Sequence, residues 1–331
     1  MLPWQRLELV ALLGTLILGT ADHAQARGSR HSLDQGPNRS PPYADIVVDD
    51  NSGQVLHQVK PDEPRHPASL TKIMTLYLLF EQLDAGALKL DTPLPVSAKA
   101  SLQPPTKLSL KVNQTITVDD AIGGIVTRSA NDAAVVVAEA IGGNEEEFAK
   151  FMTQKARTLG MTNTTYVNAS GLPAEEQITT ARDQAILGRA IHDRFPSYYR
   201  YFSTLSFRYH GVDIHNHNSL LGHVEGVDGI KTGYTEASGY NLASSVHRSD
   251  KHIVAVVLGE TSNSARDARM RLLIEEYIRQ ASTQRTTERT LPISVDAPVR
   301  DDTKVDAAPT TVESAPGAAA GKSAIKDNFE K

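Results

Sequence analysis

Residues 67–83 read PASLTKIMTLYLLFEQL. Leu70, Ile73, Met74, Tyr77 and Leu78 fall at i, i+3, i+4, i+7 and i+8, the period of a helix that Pro67 introduces. Leu76, Leu79, Phe80 and Leu83 fill most of the remaining circumference, and a helix apolar nearly all round belongs at the centre of its domain. One charge interrupts it. Lys72 follows Ser69 by three positions, so the two share a face. A lysine on such a helix must look into a polar cleft or lose its charge.

Outward from this helix the period changes twice. Upstream, Ile46, Val47 and Val48 run into the turn signal Asp50-Asn51-Ser52-Gly53, followed by Val55, Leu56 and Val59, which reads as a β-hairpin. Downstream, residues 90–200 read as mainly helical, with helices at Ala133 to Ile141, Glu145 to Leu159 and Ala181 to Phe195. Gly142-Gly143 and the loop around Gly171-Leu172-Pro173 separate them. Strand character then returns. Leu205 to Ile214 reads as a hairpin turning at His210-Gly211, and Ile230 to Gly233, Tyr240 to Val246 and His252 to Leu258 as three further strands. A last helix carries Met270, Leu273, Ile274, Tyr277 and Ile278. The expected fold class is α+β: an antiparallel sheet flanked by helices, with a mainly helical subdomain (90–200) inserted.

The 331 residues suffice for one substantial core with a satellite subdomain. A net charge of −5 without a basic run gives no support to a nucleic-acid partner, and the absence of cysteine excludes disulfides and thiolate zinc sites. Arg6, the apolar run Leu9 to Leu18 and Ala24-Gln25-Ala26 read as a signal peptide over 1–26, although Glu8 weakens its positive start. The run is about half the ~20 residues that a membrane span needs, so a periplasmic or secreted protein is expected. Residues 27–42 read as a linker, 43–282 as the globular domain, and 283–331, rich in Ala, Pro, Gly and Ser, as a disordered tail.

Three short motifs carry chemistry. In Ser69-Leu70-Thr71-Lys72 the serine sits at the first turn of the helix, where free N–H groups and the dipole stabilise negative charge. A serine hydroxyl becomes a nucleophile when a neighbouring base takes its proton, and lysine serves as that base once burial or nearby cations lower its pKa. S-x-x-K alone has little weight: about one match is expected by chance in such a chain, and Ser323-Ala324-Ile325-Lys326 is one in the expected tail. The second motif is Ser129-Ala130-Asn131, before an apolar helix. Taken alone, Ser129 also fits a helix N-cap and Asn131 an ordinary first-turn residue. The third is Lys231-Thr232-Gly233 on a strand, where glycine marks the close approach of another backbone or a ligand.

In this order the three motifs are the signatures of the penicillin-interacting enzymes. Over Tyr43 to Ala281 the chain resembles the low-molecular-weight, type-5 penicillin-binding proteins, the serine D-alanyl-D-alanine carboxypeptidases. PASLTKIMT, TRSANDAAVVVAEAIGG, the TARD segment at Thr180, NHNSLL and DGIKTGYTEASGYN carry the likeness. The resemblance implies a penicillin-binding/serine β-lactamase-like fold and an enzyme that removes the terminal D-Ala from peptidoglycan stem peptides, with β-lactams as inhibitors. It further implies that Ser69 attacks the D-Ala-D-Ala carbonyl, Lys72 removes the serine proton, Ser129 relays it to the leaving amine and Asn131 holds the substrate amide. Lys231 keeps the cleft electropositive, Thr232 binds the terminal carboxylate, and the N–H groups of Ser69 and Tyr234 form the oxyanion hole. Gly233 completes the strand motif, and Arg266 matches an additional arginine near the substrate carboxylate, a position that a surface arginine fits nearly as well. Family members usually continue into a β-rich domain and an amphipathic anchor; only residues 282–331 follow the helix here, so no stable membrane anchor is expected.

Other readings make distinct demands. A serine β-lactamase needs an acidic base for deacylation; Glu175 and Glu176 lie in a suitable loop, but S-A-N stands in place of S-D-N and no E-x-x-x-N follows either glutamate. A DD-endopeptidase of the same family would cut cross-links instead. A non-catalytic peptidoglycan-binding module would not need Ser69, Lys72 and Lys231 together. His210, His215, His217 and His223 cluster in sequence, but no acidic pair completes a zinc shell, so neither metal nor cofactor is assigned.

Overall fold

The computed structural model describes residues 42–287. The signal-peptide reading, almost all of the linker and the tail from 288 onward lie outside the described residues. The chain runs β1 (Ala44–Asp49), β2 (Val55–Val59), a 3-10 turn (Ala68–Leu70), α1 (Thr71–Asp84), β3 (Pro93–Pro95), α2 (Ala98–Ser101), β4 (Thr115–Thr117), α3 (Val118–Thr127), α4 (Asn131–Gly142) and α5 (Glu145–Thr158). It continues through α6 (Ala181–Arg194), α7 (Pro196–Tyr199), β5 (Ser206–Tyr209), β6 (Val212–His215), β7 (Val227–Thr235), β8 (Gly239–Arg248), β9 (Lys251–Glu260) and α8 (Asn263–Tyr277).

Five strands form one antiparallel sheet in the order β2-β1-β9-β8-β7, so both ends of the domain share it. Helices cover both faces. On β9, Ile253, Ala255 and Val257 pack with Met270, Leu273 and Ile274 of α8, while Val254, Val256 and Leu258 join the larger core that contains α1 and α6. That is why this strand reads as an unbroken apolar run: alternate residues face opposite ways and both sides are buried. Helix α1 is buried along almost its whole length, as its all-round apolar sequence requires.

Two boundaries differ from expectation. Helix α6, placed by sequence in the inserted subdomain, lies on the sheet: a Cβ at Gly188 would stand 3.0 Å from both Ile230 Cδ1 and Val254 Cγ1. Its apolar stripe matches the sheet as well as any helix, and periodicity cannot say which. The ordered chain also runs past 282. The Thr286 and Thr287 amides donate to Asn51 O, and Arg285 pairs with Asp50 and Asp193, so charge and backbone hydrogen bonds hold a segment with little apolar content.

Candidate active site

Ser69 lies in the 3-10 turn that opens α1, and two glycines bring other backbone against it. On β7, a Cβ at Gly233 would stand 3.0 Å from Ser69 N and 3.2 Å from Leu70 N. In the loop before α6, Gly171 has φ +84°, and a Cβ there would stand 1.8 Å from Ala68 O. Ala68 and Ser129 themselves adopt left-handed backbone, φ +48° and +58°. Such conformations cost about 1–3 kcal/mol each and persist where the surrounding structure enforces them.

Lys72 is fully buried on α1. Its Nζ lies 3.1 Å from Ser69 Oγ and 2.8 Å from Asn131 Oδ1, and it also donates to Ser170 O. The Asn131 amide is oriented by donation from Nδ2 to Pro104 O (2.9 Å), which turns its oxygen to the lysine. Asn131 Oδ1 and Ser170 O can only accept. A neutral amine satisfies both with its two N–H bonds and keeps its lone pair for the Ser69 hydroxyl, the one neighbour able to donate. Burial, then the positive charge of Lys231, lower the Lys72 pKa well below the ordinary 10.5, against a smaller opposing pull from Asp132.

Ser129 is not the helix cap. Ala130 holds that position on α4, and the buried Ser129 Oγ has no hydrogen-bond partner among the described residues. Lys231 is 2% exposed on β7, and its Nζ donates to Thr232 O (2.9 Å). Burial, and then Arg266, lower its pKa to about 7. Arg266 is also buried, not on the surface: Nε and Nη2 donate to Asp267 Oδ1 (2.9 and 2.7 Å) and Nη1 to Asn263 Oδ1 (3.0 Å).

Ser69, Ser129, Asn131, Thr232, Gly233, Tyr234 and Arg266 line one cleft of about 510 Å³, with Lys72 beneath its floor at Ser69. The exposed Tyr234 ring stands at the mouth, packed on Tyr240 with centroids 4.3 Å apart. Every site residue singled out by sequence lines this cleft except Lys72 and Lys231, which lie buried behind it, close enough for the charge of Lys231 to act on Lys72. Sequence reasoning missed Pro105, Thr106, Ser170, Leu172 and Asn263, and it read His217 only as a doubtful metal ligand. His217 faces the cleft and stays in contact with solvent; the partial desolvation of its ring, and then the positive charges of Lys231, Arg128, Arg266 and Lys72, lower its pKa to about 4. Among the described residues, no Asp or Glu lines the cleft; Glu175 lines an adjoining hollow of about 380 Å³ beyond Gly171 and Leu172. The arrangement offers an activated serine, an unpartnered hydroxyl and an electropositive wall, which suits acyl transfer from an anionic substrate.

Comparison with known proteins points the same way. Residues 38–262 match the family model described as D-alanyl-D-alanine carboxypeptidase. The D-alanyl-D-alanine carboxypeptidase DacF of Bacillus subtilis is 32% identical over 84% of this chain and 72% of its own length. DacC of Escherichia coli, of the same description, is 36% identical over 67% of this chain and 57% of its own. The chain thus spans little more than half the length of the second. Among solved structures, penicillin binding protein 5 from Haemophilus influenzae superposes with a TM-score of 0.67 at 32% identity, covering 72% of this chain and 71% of that one.

Proposed function

The chain belongs to the D-alanyl-D-alanine carboxypeptidase family, and on that premise we propose that it removes the terminal D-alanine from peptidoglycan stem peptides through an acyl-enzyme on Ser69. The observation that carries this reading is the Lys72 amine, buried 3.1 Å from Ser69 Oγ with two acceptor-only partners. Ser69 Oγ attacks the carbonyl carbon between the two D-alanines while its proton passes to Lys72 Nζ. The resulting ammonium has an acceptor for each of its three N–H bonds. The oxyanion is held by the N–H groups of Ser69 and Tyr234, a contribution of about 3–4 kcal/mol where such donors have been removed.

The C–N bond then breaks. The leaving amine takes its proton from Lys72 by way of Ser129, whose hydroxyl has no hydrogen-bond partner among the described residues. Asn131 holds the substrate amide. Lys231, Thr232 and Arg266 receive the terminal carboxylate, which Gly233 allows to approach the backbone. Water adds to the ester carbonyl as Lys72 again takes its proton; the bond from the acyl carbon to Ser69 Oγ then breaks, Lys72 returns the proton to Oγ, and the shortened peptide leaves as its carboxylic acid. A β-lactam enters by the same route, since its strained amide and carboxylate resemble the substrate terminus.

The absence of any carboxylate in the described cleft lining argues against a β-lactamase, which needs a base for fast deacylation. The enzyme is exported, on the reading of residues 1–26, to the periplasm or beyond, where its substrate lies. No helix among the described residues is long and apolar enough to cross a membrane. Intact mass after penicillin treatment should show one adduct, and Ser69→Ala none; an adduct that survives Ser69→Ala contradicts the assignment. With purified muropeptides, the expected product has lost one alanine. Cleavage of cross-links alone would make the chain an endopeptidase.

A further inference from the structure

Strands β8 and β9 run away from the cleft to a hairpin, where His247 pairs with His252 across the ladder. The His247 amide donates to Gly226 O, just beyond Val227 on β7. From Lys231 to Val227 is about 13 Å at ~3.3 Å per residue, so this end of the sheet is separate from the catalytic cleft. His192, in the last turn of α6, closes over the pair, its ring centroid 5.1 Å from that of His247 and 4.5 Å from that of His252. The fold thus collects three histidines that sequence scatters over 60 residues, while the sequence-adjacent His215 and His223 stay exposed.

Each ring has a carboxylate at Nδ1. Asp228 lies 2.7 Å from His247 Nδ1, Asp50 lies 2.9 Å from His252 Nδ1, and Asp193 Oδ1 lies 3.6 Å from His192 Nδ1. This carboxylate–imidazole pairing is the outer shell that fixes histidine ligands of a metal and leaves Nε2 to bind; at His252 that nitrogen now contacts Ser245 Oγ (2.9 Å), a hydroxyl that an ion would displace. Among the described residues, His192 Nδ1 and Asp193 Oδ1 are buried and have no hydrogen-bond partner. Imidazole ligated at Nε2 becomes a stronger Nδ1–H donor, which would close that last gap. The charges agree: the carboxylates of Asp50, Asp193 and Asp228 outnumber the guanidiniums of Arg189 and Arg285, which pair with the first two.

We propose that His192, His247 and His252 bind one divalent transition-metal ion, zinc in the first instance, with Asp50, Asp193 and Asp228 as outer partners. A ligand nitrogen from each ring already lies within 4.8 Å of the others. A tetrahedral shell with metal–nitrogen bonds of about 2.1 Å brings them to about 3.4 Å. His247, the most exposed of the three and stacked on His252 with centroids 3.6 Å apart, is the ring that must shift, about its Nδ1 contact with Asp228, to complete the shell. The ion would staple the β8–β9 hairpin, the end of α6 and the β1–β2 turn.

The test is a Co²⁺ titration of the full chain without an affinity tag, followed by visible absorption, displacement by Zn²⁺ and thermal unfolding with and without Zn²⁺. About one Co²⁺ should bind per chain, with the intense bands of a tetrahedral site. Zn²⁺ should displace it and raise the unfolding temperature. His247→Asn and, separately, His192→Asn should weaken binding by at least about tenfold, with penicillin acylation of Ser69 unchanged. His215→Asn, in the histidine-rich segment, should leave binding intact. Absence of saturable binding, or binding that survives both His247→Asn and His192→Asn, or binding lost in His215→Asn, overturns the proposal.

Discussion

The two ends of the sheet bury charge in opposite ways. At the far end, Asp50 accepts from Arg189, Arg285 and His252, Asp193 pairs with Arg285, and Asp228 with His247. At the cleft end, among the described residues, Lys72 and Lys231 donate only to neutral groups, and of these three cations Arg266 alone has a carboxylate partner. Burial alone would push the Asp50 carboxyl up, but His252 and Arg189 outweigh it and hold the group far below the usual carboxylate range. In the cleft nothing outweighs burial, and Lys72, Lys231 and His217 all lose basicity. A domain that pairs its buried carboxylates with cations at one end and leaves buried lysines without carboxylates at the other offers the second to an anionic ligand.

The largest effect should come from removing the lysine that can deprotonate. Lys72→Arg keeps the charge but not the base, since a guanidinium does not give up its proton in proteins. Acylation by penicillin should fall by about 10²–10⁴-fold in stopped-flow or quenched mass measurements. A near wild-type rate moves the base to Ser129 or water.

At the far end, Asp50→Asn should cost about 3–5 kcal/mol of stability in denaturant unfolding, because the half-buried Arg189 and Arg285 and the buried His252 lose the buried carboxylate they share. Acylation per folded molecule should persist. The acid limb should flatten too. With its folded pKa depressed, Asp50 stabilises the native state above its unfolded value, near 3.8, and that stabilisation is lost as pH falls through the folded value. An unchanged acid limb would mean that the network does not carry the charge balance.

Lys231 sharpens the comparison. Its pKa of about 7 means that it is charged below that pH and neutral above it, so penicillin affinity should weaken as pH rises through about 7. Lys231→Arg should remove that dependence and retain more acylation than Lys231→Gln, by about tenfold. Equal losses would indicate a geometric demand on the side chain. The smallest effect concerns the segment past 282. A chain ending at Ala281 loses the Arg285 pairs and the amide bonds to Asn51, and should be less stable by about 1–3 kcal/mol with acylation intact.

Much of this was legible because the local signals were strong. The hairpin turning at Asp50-Asn51-Ser52-Gly53, the all-round apolar α1 and the ordered Ser69, Ser129 and Lys231 motifs needed no tertiary information. What escaped depended on contacts distant in sequence. Helix α3 was not singled out: Gly123 and Gly124 weaken any helix pattern, yet a Cβ at the first would stand 2.7 Å from the Phe207 ring and at the second 2.5 Å from Leu108 Cδ1. The role of Ser170 is made by its carbonyl, which no side-chain pattern encodes. Gly171 read as a loop breaker, whereas the structure presses it on Ala68. His192, His247 and His252 carried no local motif.

The central claim is that Lys72 meets Ser69 as a neutral amine, and the pH dependence of the acylation rate at saturating penicillin tests it most directly. The rate should rise with pH to a plateau through an apparent pKa well below the ordinary 10.5 of lysine, as a property of the coupled Lys72–Lys231 pair. A rate that is flat across this range, or that rises only as pH approaches 10.5, would contradict it.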